Sequence, residues 1–289
     1  MSSVKVSATS SFVEFCDVAC SILTHVRLKF SQGGVSIKQL DKACVCFVQA
    51  EFPLETYFNE NSESDVTVDA KKLTTVLRQA AMDDVLDLSF GDEEPLVVTL
   101  TSTSRTQKWS IATDDLALAP PVTMKNLGFD FSVAVKVTCL FSFVNTSRKL
   151  EGGADVKVEV LKTDTQFFFV LSTVDDDDDD DDGDSEPDGI AVYRSVRSAS
   201  GARITKEDLL QVQTPLDPKG ATRAYSGVFD RAYLRKILRP MKKARFLTLS
   251  MSPSKPMVMH YTTGSAHIRF MLASKYLTEP ESESEPTAK

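Results

Sequence analysis

The chain has 289 residues, 42% of them hydrophobic and 26% charged, with a formal net charge of −8. That length suits two domains with a sizeable core; no apolar run approaches the roughly 18–20 residues of a membrane-spanning helix, and without a signal-peptide pattern the chain reads as intracellular. Five cysteines in no disulfide or zinc spacing, and three histidines at no metal-ligand spacing, argue against a metal, a cofactor and a nucleophile–base centre.

Taken in chain order, Ser10 to Leu23 reads as a helix, with Phe12, Phe15, Cys16, Ala19, Ile22 and Leu23 on one side. Alternating segments around Val26–Phe30, Gly34–Ile37 and Cys44–Phe52 read as strands, which makes Cys44 and Cys46 small hydrophobes. Asp69 is an N-cap for a helix over Ala70–Ala81, and strands follow at Val85–Phe90, Leu96–Ser102 and Gln107–Ala112. Prolines, a glycine and no clear periodicity make Ala112 to Asp130 a long connector. A second helix-and-strand series then runs through a helix over Thr138–Leu150 and strands at Val156–Leu161 and Phe167–Leu171. It resumes at Ile190–Val196, Ala224–Val228, a helix over Arg231–Lys242, and strands at Phe246–Met251, Pro256–Tyr261 and Ala266–Leu272.

The net charge hides its own origin. Asp175 through Asp182, extended by Asp184, Glu186 and Asp188, is an acidic block that reads as a solvated insertion. Outside it stand 30 acidic and 33 basic residues, so the folded remainder is mildly basic. A tail of alternating Glu and Ser closes the chain.

The two series are copies. VDAKKLTTVLRQAAMDDVLDLSF, from Val68, matches FDRAYLRKILRPMKKARFLTLSM, from Phe229, without a gap and 161 residues apart. Asp69 meets Asp230, Leu73 meets Leu234, Leu77 meets Leu238, Arg78 meets Arg239, and Leu86 and Leu88 meet Leu247 and Leu249. Two copies at so long a period mean a duplicated domain and not a solenoid. The expectation is an α+β fold of two similar domains, each with two helices on an antiparallel sheet. The boundaries are 1–111, a connector over 112–130, and 131–275 with the acidic insert at 175–189, followed by a tail over 276–289.

Helical projection supplies the candidate binding surface. Leu234, Ile237, Leu238 and Met241 share one face of the second copy's helix, opposite Arg235, Lys236, Arg239, Lys242 and Lys243. In the first copy Leu73, Val76, Leu77 and Ala80 turn inward, away from Lys71 and Arg78, and Arg148 and Lys149 close the other second-half helix. Most basic helix faces are merely solvated. Three of them in a duplicated fold, without matching acids beside them, favour sequence-blind contact with phosphates.

The chain resembles the proliferating cell nuclear antigen (PCNA) family of sliding clamps. The resemblance rests on GGVSIKQLDKACVCFVQAEF (Gly33–Phe52), the duplicated units, Asn126-Leu127-Gly128-Phe129, LTLSMSPSKPMVMHY (Leu247–Tyr261) and HIRFMLASK (His267–Lys275). It implies a DNA clamp fold whose subunits close into a ring, as a homotrimer, around double-stranded DNA. The ring would be non-enzymatic, loaded by an ATP-dependent clamp loader, and would tether a DNA polymerase and other replication or repair proteins. It would act in the nucleus, or at a viral replication site if the chain is viral. Lys71, Arg78, Arg148, Lys149, Arg235, Lys236, Arg239 and Lys242 would line the hole. A groove for aromatic-anchored peptides would use Leu40, Cys44, Val45, Phe47, Leu127, Phe129, Pro256, Met271, Leu272 and Ala273, although Leu40 and Val45 read equally well as core. Edge strands bearing Trp109, Ile111, Ala191 and Tyr193 would join subunits, although Trp109 reads equally as buried in its own domain.

The sequence also departs from the family. The first helix has Glu14 and Asp17 outward and no base, Cys44 and Ser274 replace a usual histidine and proline, and the acidic insert is unusual. The alternatives are a monomeric or dimeric polymerase accessory subunit and one arm of a heterotrimeric checkpoint clamp. A nucleotide-processing enzyme is disfavoured, because no clustered catalytic side chains can be assembled from the sequence.

Overall fold

The structure, a computed structural model, describes residues 2–6, 9–54, 64–91, 94–114, 127–146, 155–162, 167–174, 191–194, 197–198 and 222–275. The acidic block, Leu116, Leu118, Pro120, Pro121, Asn126, Arg148, Lys149, Leu150 and the C-terminal tail lie outside these residues. Two compact units are formed, one from Met1–Lys125 with His260–Met271, the other from Asn126–Met259 with Leu272–Lys289.

In the first unit, β1 (Ser2–Val6), β6 (Val85–Phe90), β7 (Leu96–Thr101) and β8 (Thr106–Ile111) form a four-stranded antiparallel sheet in that order. The register puts Val4 opposite Leu88 and Val6 opposite Leu86, so alternate residues of both strands enter the core together. Its other strands lie in the order β17 (Ala266–Leu272), β4 (Cys46–Phe52), β3 (Gly34–Leu40), β2 (His25–Ser31) and β5 (Ser64–Asp69). Helices α1 (Thr9–Ala19) and α2 (Ala70–Leu77) bury Phe12, Phe15, Leu73 and Leu77 completely. Each such side chain contributes about 1.5–3 kcal/mol by leaving water. Phe12 meets Phe52 edge-on at 5.2 Å, and Phe30 stacks on Phe90 at 4.3 Å.

The second unit repeats this plan. β12 (Ala191–Arg194), β11 (Phe167–Val174), β10 (Asp155–Lys162) and β14 (Thr222–Phe229) are ordered as β4-β3-β2-β5 are in the first unit. β9 (Phe131–Lys136) pairs antiparallel with β15 (Phe246–Met251), setting Val133 against Leu249 and Val135 against Leu247. β16 (Met257–Thr263) begins in this unit and ends in the first. The helices are α3 (Val137–Thr146) and α4 (Arg231–Leu238), and after Arg239 a short 3-10 helix covers Pro240–Lys243.

The repeat is exact at its caps. Asp69 accepts a hydrogen bond from Lys72 N at 2.7 Å, and Asp230 accepts from Ala232 N and Tyr233 N at 2.6 and 3.1 Å. Their backbones share one conformation, φ −59, ψ 118 and φ −57, ψ 118. Each carboxylate satisfies donors that the first helical turn leaves unpaired. The helices end earlier than their sequence periodicity predicts, at Leu77 and not Ala81, and at Leu238 where Pro240 cannot extend the ladder.

After α2 the turn is held by Asp84, whose buried carboxylate accepts from Ala81 N at 2.7 Å and Arg105 Nη2 at 2.8 Å. The Ala81 amide first, and then Arg105, hold this carboxyl below its ordinary pKa. The other correction concerns Cys44. The stretch Cys44–Cys46 alternates like a strand, yet the Asp41 carboxylate accepts from the amides of Ala43, Val45 and Cys46, at 3.1, 2.8 and 2.7 Å. This folds a turn that leaves Cys44 exposed at φ +58, while Cys46 is buried.

Candidate functional site

The repeated helix sorts its side chains as projected. On α4 and the 3-10 helix, Leu234, Ile237, Leu238 and Met241 are at most 1% exposed, and Arg235, Lys236, Arg239 and Lys242 are exposed. Lys242 Nζ lies 4.6 Å from the centre of the Phe141 ring on α3, so its stem is braced while its charge stays in water. Helix α3, VTCLFSFVNT, has no charged residue, and among the described residues no carboxylate pairs with Arg235, Arg239 or Lys242. Arg245, exposed just past the 3-10 helix, adds a cation that helical projection missed because it lies beyond the periodic run.

The first unit's helix layer is electrostatically different. Lys71 and Lys72 are exposed, the latter unremarked by sequence, but Arg78 Nε donates to both oxygens of Asp17, at 3.0 and 3.1 Å. The outward acids of α1 are therefore not simply solvated. Glu14 accepts from Tyr261 Oη at 2.6 Å and Thr263 Oγ1 at 2.8 Å, fastening α1 to the end of β16. Past the helix, Ala81-Met82-Asp83-Asp84 occupies the repeat positions of Lys242-Lys243-Ala244-Arg245. A stretch with three bases thus replaces one with two acids, Arg245 standing directly at the position of Asp84.

The expected groove residues are distributed by unit. In the first, Leu40 and Val45 are half-buried, Cys44 is exposed, and Phe47 and Met271 are 4% and 8% exposed, inside the core. In the second, Leu127, Phe129 and Pro256 are half-buried, Ala273 is exposed and Leu272 is entirely buried, so Leu272 presents no side chain to a ligand. Lys255, not singled out by sequence, donates to Gly128 O at 2.6 Å and stands 6.0 Å from the Phe129 ring centre. Ser252 donates to Asp130, so the end of the connector is held by the β15–β16 turn. Ser274 accepts from Val228 N and donates to Val228 O, both at 2.9 Å, and Lys275 pairs with Asp155 at 2.5 Å.

Both strands expected to join subunits are edges of their own sheets. Among the described residues β8 pairs only with β7, and β12 only with β11. Trp109 is half-buried, Ile111 is 3% exposed and belongs to the core, and Ala191 and Tyr193 sit on β12. What such strands offer a partner is backbone N–H and C=O groups.

Elsewhere, an open polar cleft of about 200 Å³ is lined by Gln49, Glu51, His267 and Arg269. Burial pushes the Cys20 thiol up to about 12 and raises the Cys16 and Cys46 thiols as well, so none of the three is a thiolate nucleophile at neutral pH. No group of metal-ligating side chains occurs among the described residues.

No protein-family model matches this sequence, and no curated protein matches it. Solved structures do. A PCNA2–PCNA3 complex from Sulfolobus tokodaii matches with a TM-score of 0.68 at 16% identity, over 94% of this chain and 99% of its own. The proliferating cellular nuclear antigen of Entamoeba histolytica matches with a TM-score of 0.70 at 14% identity, covering 95% of this chain and 99% of the other. PCNA from Thermococcus kodakaraensis matches with a TM-score of 0.67 at 17% identity, over 95% and 100%. The chain has the two-domain, α+β clamp fold of these PCNA structures, in a strongly divergent sequence.

Proposed function

We propose that the protein is a DNA sliding clamp: a non-enzymatic homotrimeric ring that encircles double-stranded DNA and tethers a DNA polymerase and other replication or repair proteins. The observation that carries the reading is the exposed basic face of Arg235, Lys236, Arg239 and Lys242, with no carboxylate partner among the described residues, on a duplicated helix in a chain whose fold matches PCNA structures almost end to end. Exposed bases on rigid helices attract a phosphate backbone without reading sequence, as a moving ring requires. Encirclement turns weak contacts into lasting retention, and tethering raises a partner's effective concentration. The edges of β8 and β12, unpaired among the described residues, are the ones we assign to subunit joining, and we assign exposed Cys44 and the half-buried Leu127 and Phe129 to aromatic-anchored peptides. An ATP-dependent loader opens the ring, in the nucleus or at a viral replication site.

The test is retention on nicked circular DNA after loading. Reversing Arg235, Arg239 and Lys242 to Glu should abolish retention while sedimentation still reports the assembled ring, and undiminished retention would refute the assignment. Replacing Leu127 and Phe129 with Ala should weaken polymerase-peptide binding at least tenfold and leave the ring intact. A hetero-oligomeric clamp is the second reading, favoured by the match to a complex of two different PCNA chains. A purified chain that sediments as a monomer would exclude the homotrimer, and sedimentation with a second clamp chain would then separate this reading from a monomeric accessory subunit.

A further inference from the structure

Arg78 and Arg239 are the one basic pair that the duplication preserves on its helices, and they have opposite surroundings. Arg239 ends α4, which packs against the uncharged helix α3, and it has no carboxylate partner among the described residues. Arg78 faces Asp17 of α1, only 22% exposed, and places Nε against both of its oxygens. The other acid of α1, Glu14, is occupied by Tyr261 and Thr263 and does not reach Arg78's position in this network. We propose that Asp17 is an electrostatic mask: it withholds Arg78 from phosphate and so reduces the first unit's grip on duplex DNA, leaving the second unit's helix face as the main contact. This rests on the reading that these helices face DNA.

The physics is a competition for one guanidinium. A half-exposed ion pair is weak and screened by salt, so it does not bury Arg78, but any phosphate must displace a carboxylate already in place. The unpaired Asp17 would then repel that phosphate. A clamp gains from such a subtraction, because every phosphate contact released is drag removed from sliding.

Anisotropy titrations of the full chain with a short fluorescent DNA duplex, across salt from about 50 to 200 mM, test this. Asp17→Asn should tighten binding about threefold at low salt and steepen the logarithmic salt dependence by about 0.9, the signature of one added phosphate contact. Glu14→Gln adds the same net charge without freeing Arg78, and should leave both quantities unchanged. Asp17→Asn in an Arg78→Ala background should gain nothing over Arg78→Ala alone. Equal gains from Asp17→Asn and Glu14→Gln, a gain that survives loss of Arg78, or no gain at all would overturn the mask. Failure of the clamp reading looks different: wild type would not bind the duplex, or charge reversal at Arg235, Arg239 and Lys242 would leave binding intact.

Discussion

Carboxylates of aspartates decide much of the local geometry. Asp69 and Asp230 each close a helix start in the same backbone conformation, and replacing either with Ala should cost about 1 kcal/mol, read as a shift in urea midpoint without a change in slope. Asp41 carries more, since three amides converge on it, and Asp41→Ala should cost about 2–3 kcal/mol in the same measurement. Gly34 is irreplaceable for a different reason. At φ +124, a Cβ there would stand 2.1 Å from Phe52 O, so even alanine would push β3 away from β4. His260 gives a titratable readout. Burial first, then Arg269 and His267, hold its pKa below the ordinary 6.5, and its Nε2 accepts from Arg269 Nε at 2.5 Å. The neutral form is favoured by folding, so this contribution is present above about pH 6.5 and is lost as the pH falls below it. Between pH 7.5 and 5.5 the wild type should lose more stability than His260→Gln, which keeps an acceptor but cannot take up the proton.

Among the elements, the helices and the edge strands have separate tasks. Helices α2 and α4 bury matching leucines and present different charges, so duplication preserved the packing while the exposed faces diverged. This is the pattern expected where core volume is constrained and surface charge is free to specialise. Helix α1 shows the same division. Its aromatic side fills the core, and its polar side is given over to pairing with Arg78, Tyr261 and Thr263. Among the described residues, strands β8 and β12 have no second neighbour, and unpaired edges invite pairing with another chain.

For the molecule as an assembly, β8 offers a convenient probe because it bears the sole tryptophan. If β8 joins subunits, dilution through the dissociation range should shift Trp109 emission to longer wavelength together with the fall in sedimentation coefficient. An emission spectrum that stays constant while the particle dissociates would move the contact to another strand.

The duplication, the capping aspartates, the buried leucine stripe and the basic faces opposite it were all legible in the chain, because periodicity records burial within a single element. Most of the strands read from the sequence lie near their observed limits for the same reason. Ser2–Val6, Ser64–Asp69, Phe131–Lys136 and Arg197–Ser198 escape that reading altogether, since short segments beside the connector or a cap give too few alternations to read. What needed the folded molecule was the choice of partners. Asp17 meets Arg78 across 61 residues, and Glu14 meets Tyr261 across 247. Cys44 leaves the strand pattern only because Asp41 gathers the amides around it. An ion pair or a turn-organising carboxylate depends on distances between elements, and those distances exist only once the sheets have paired and the helices have packed.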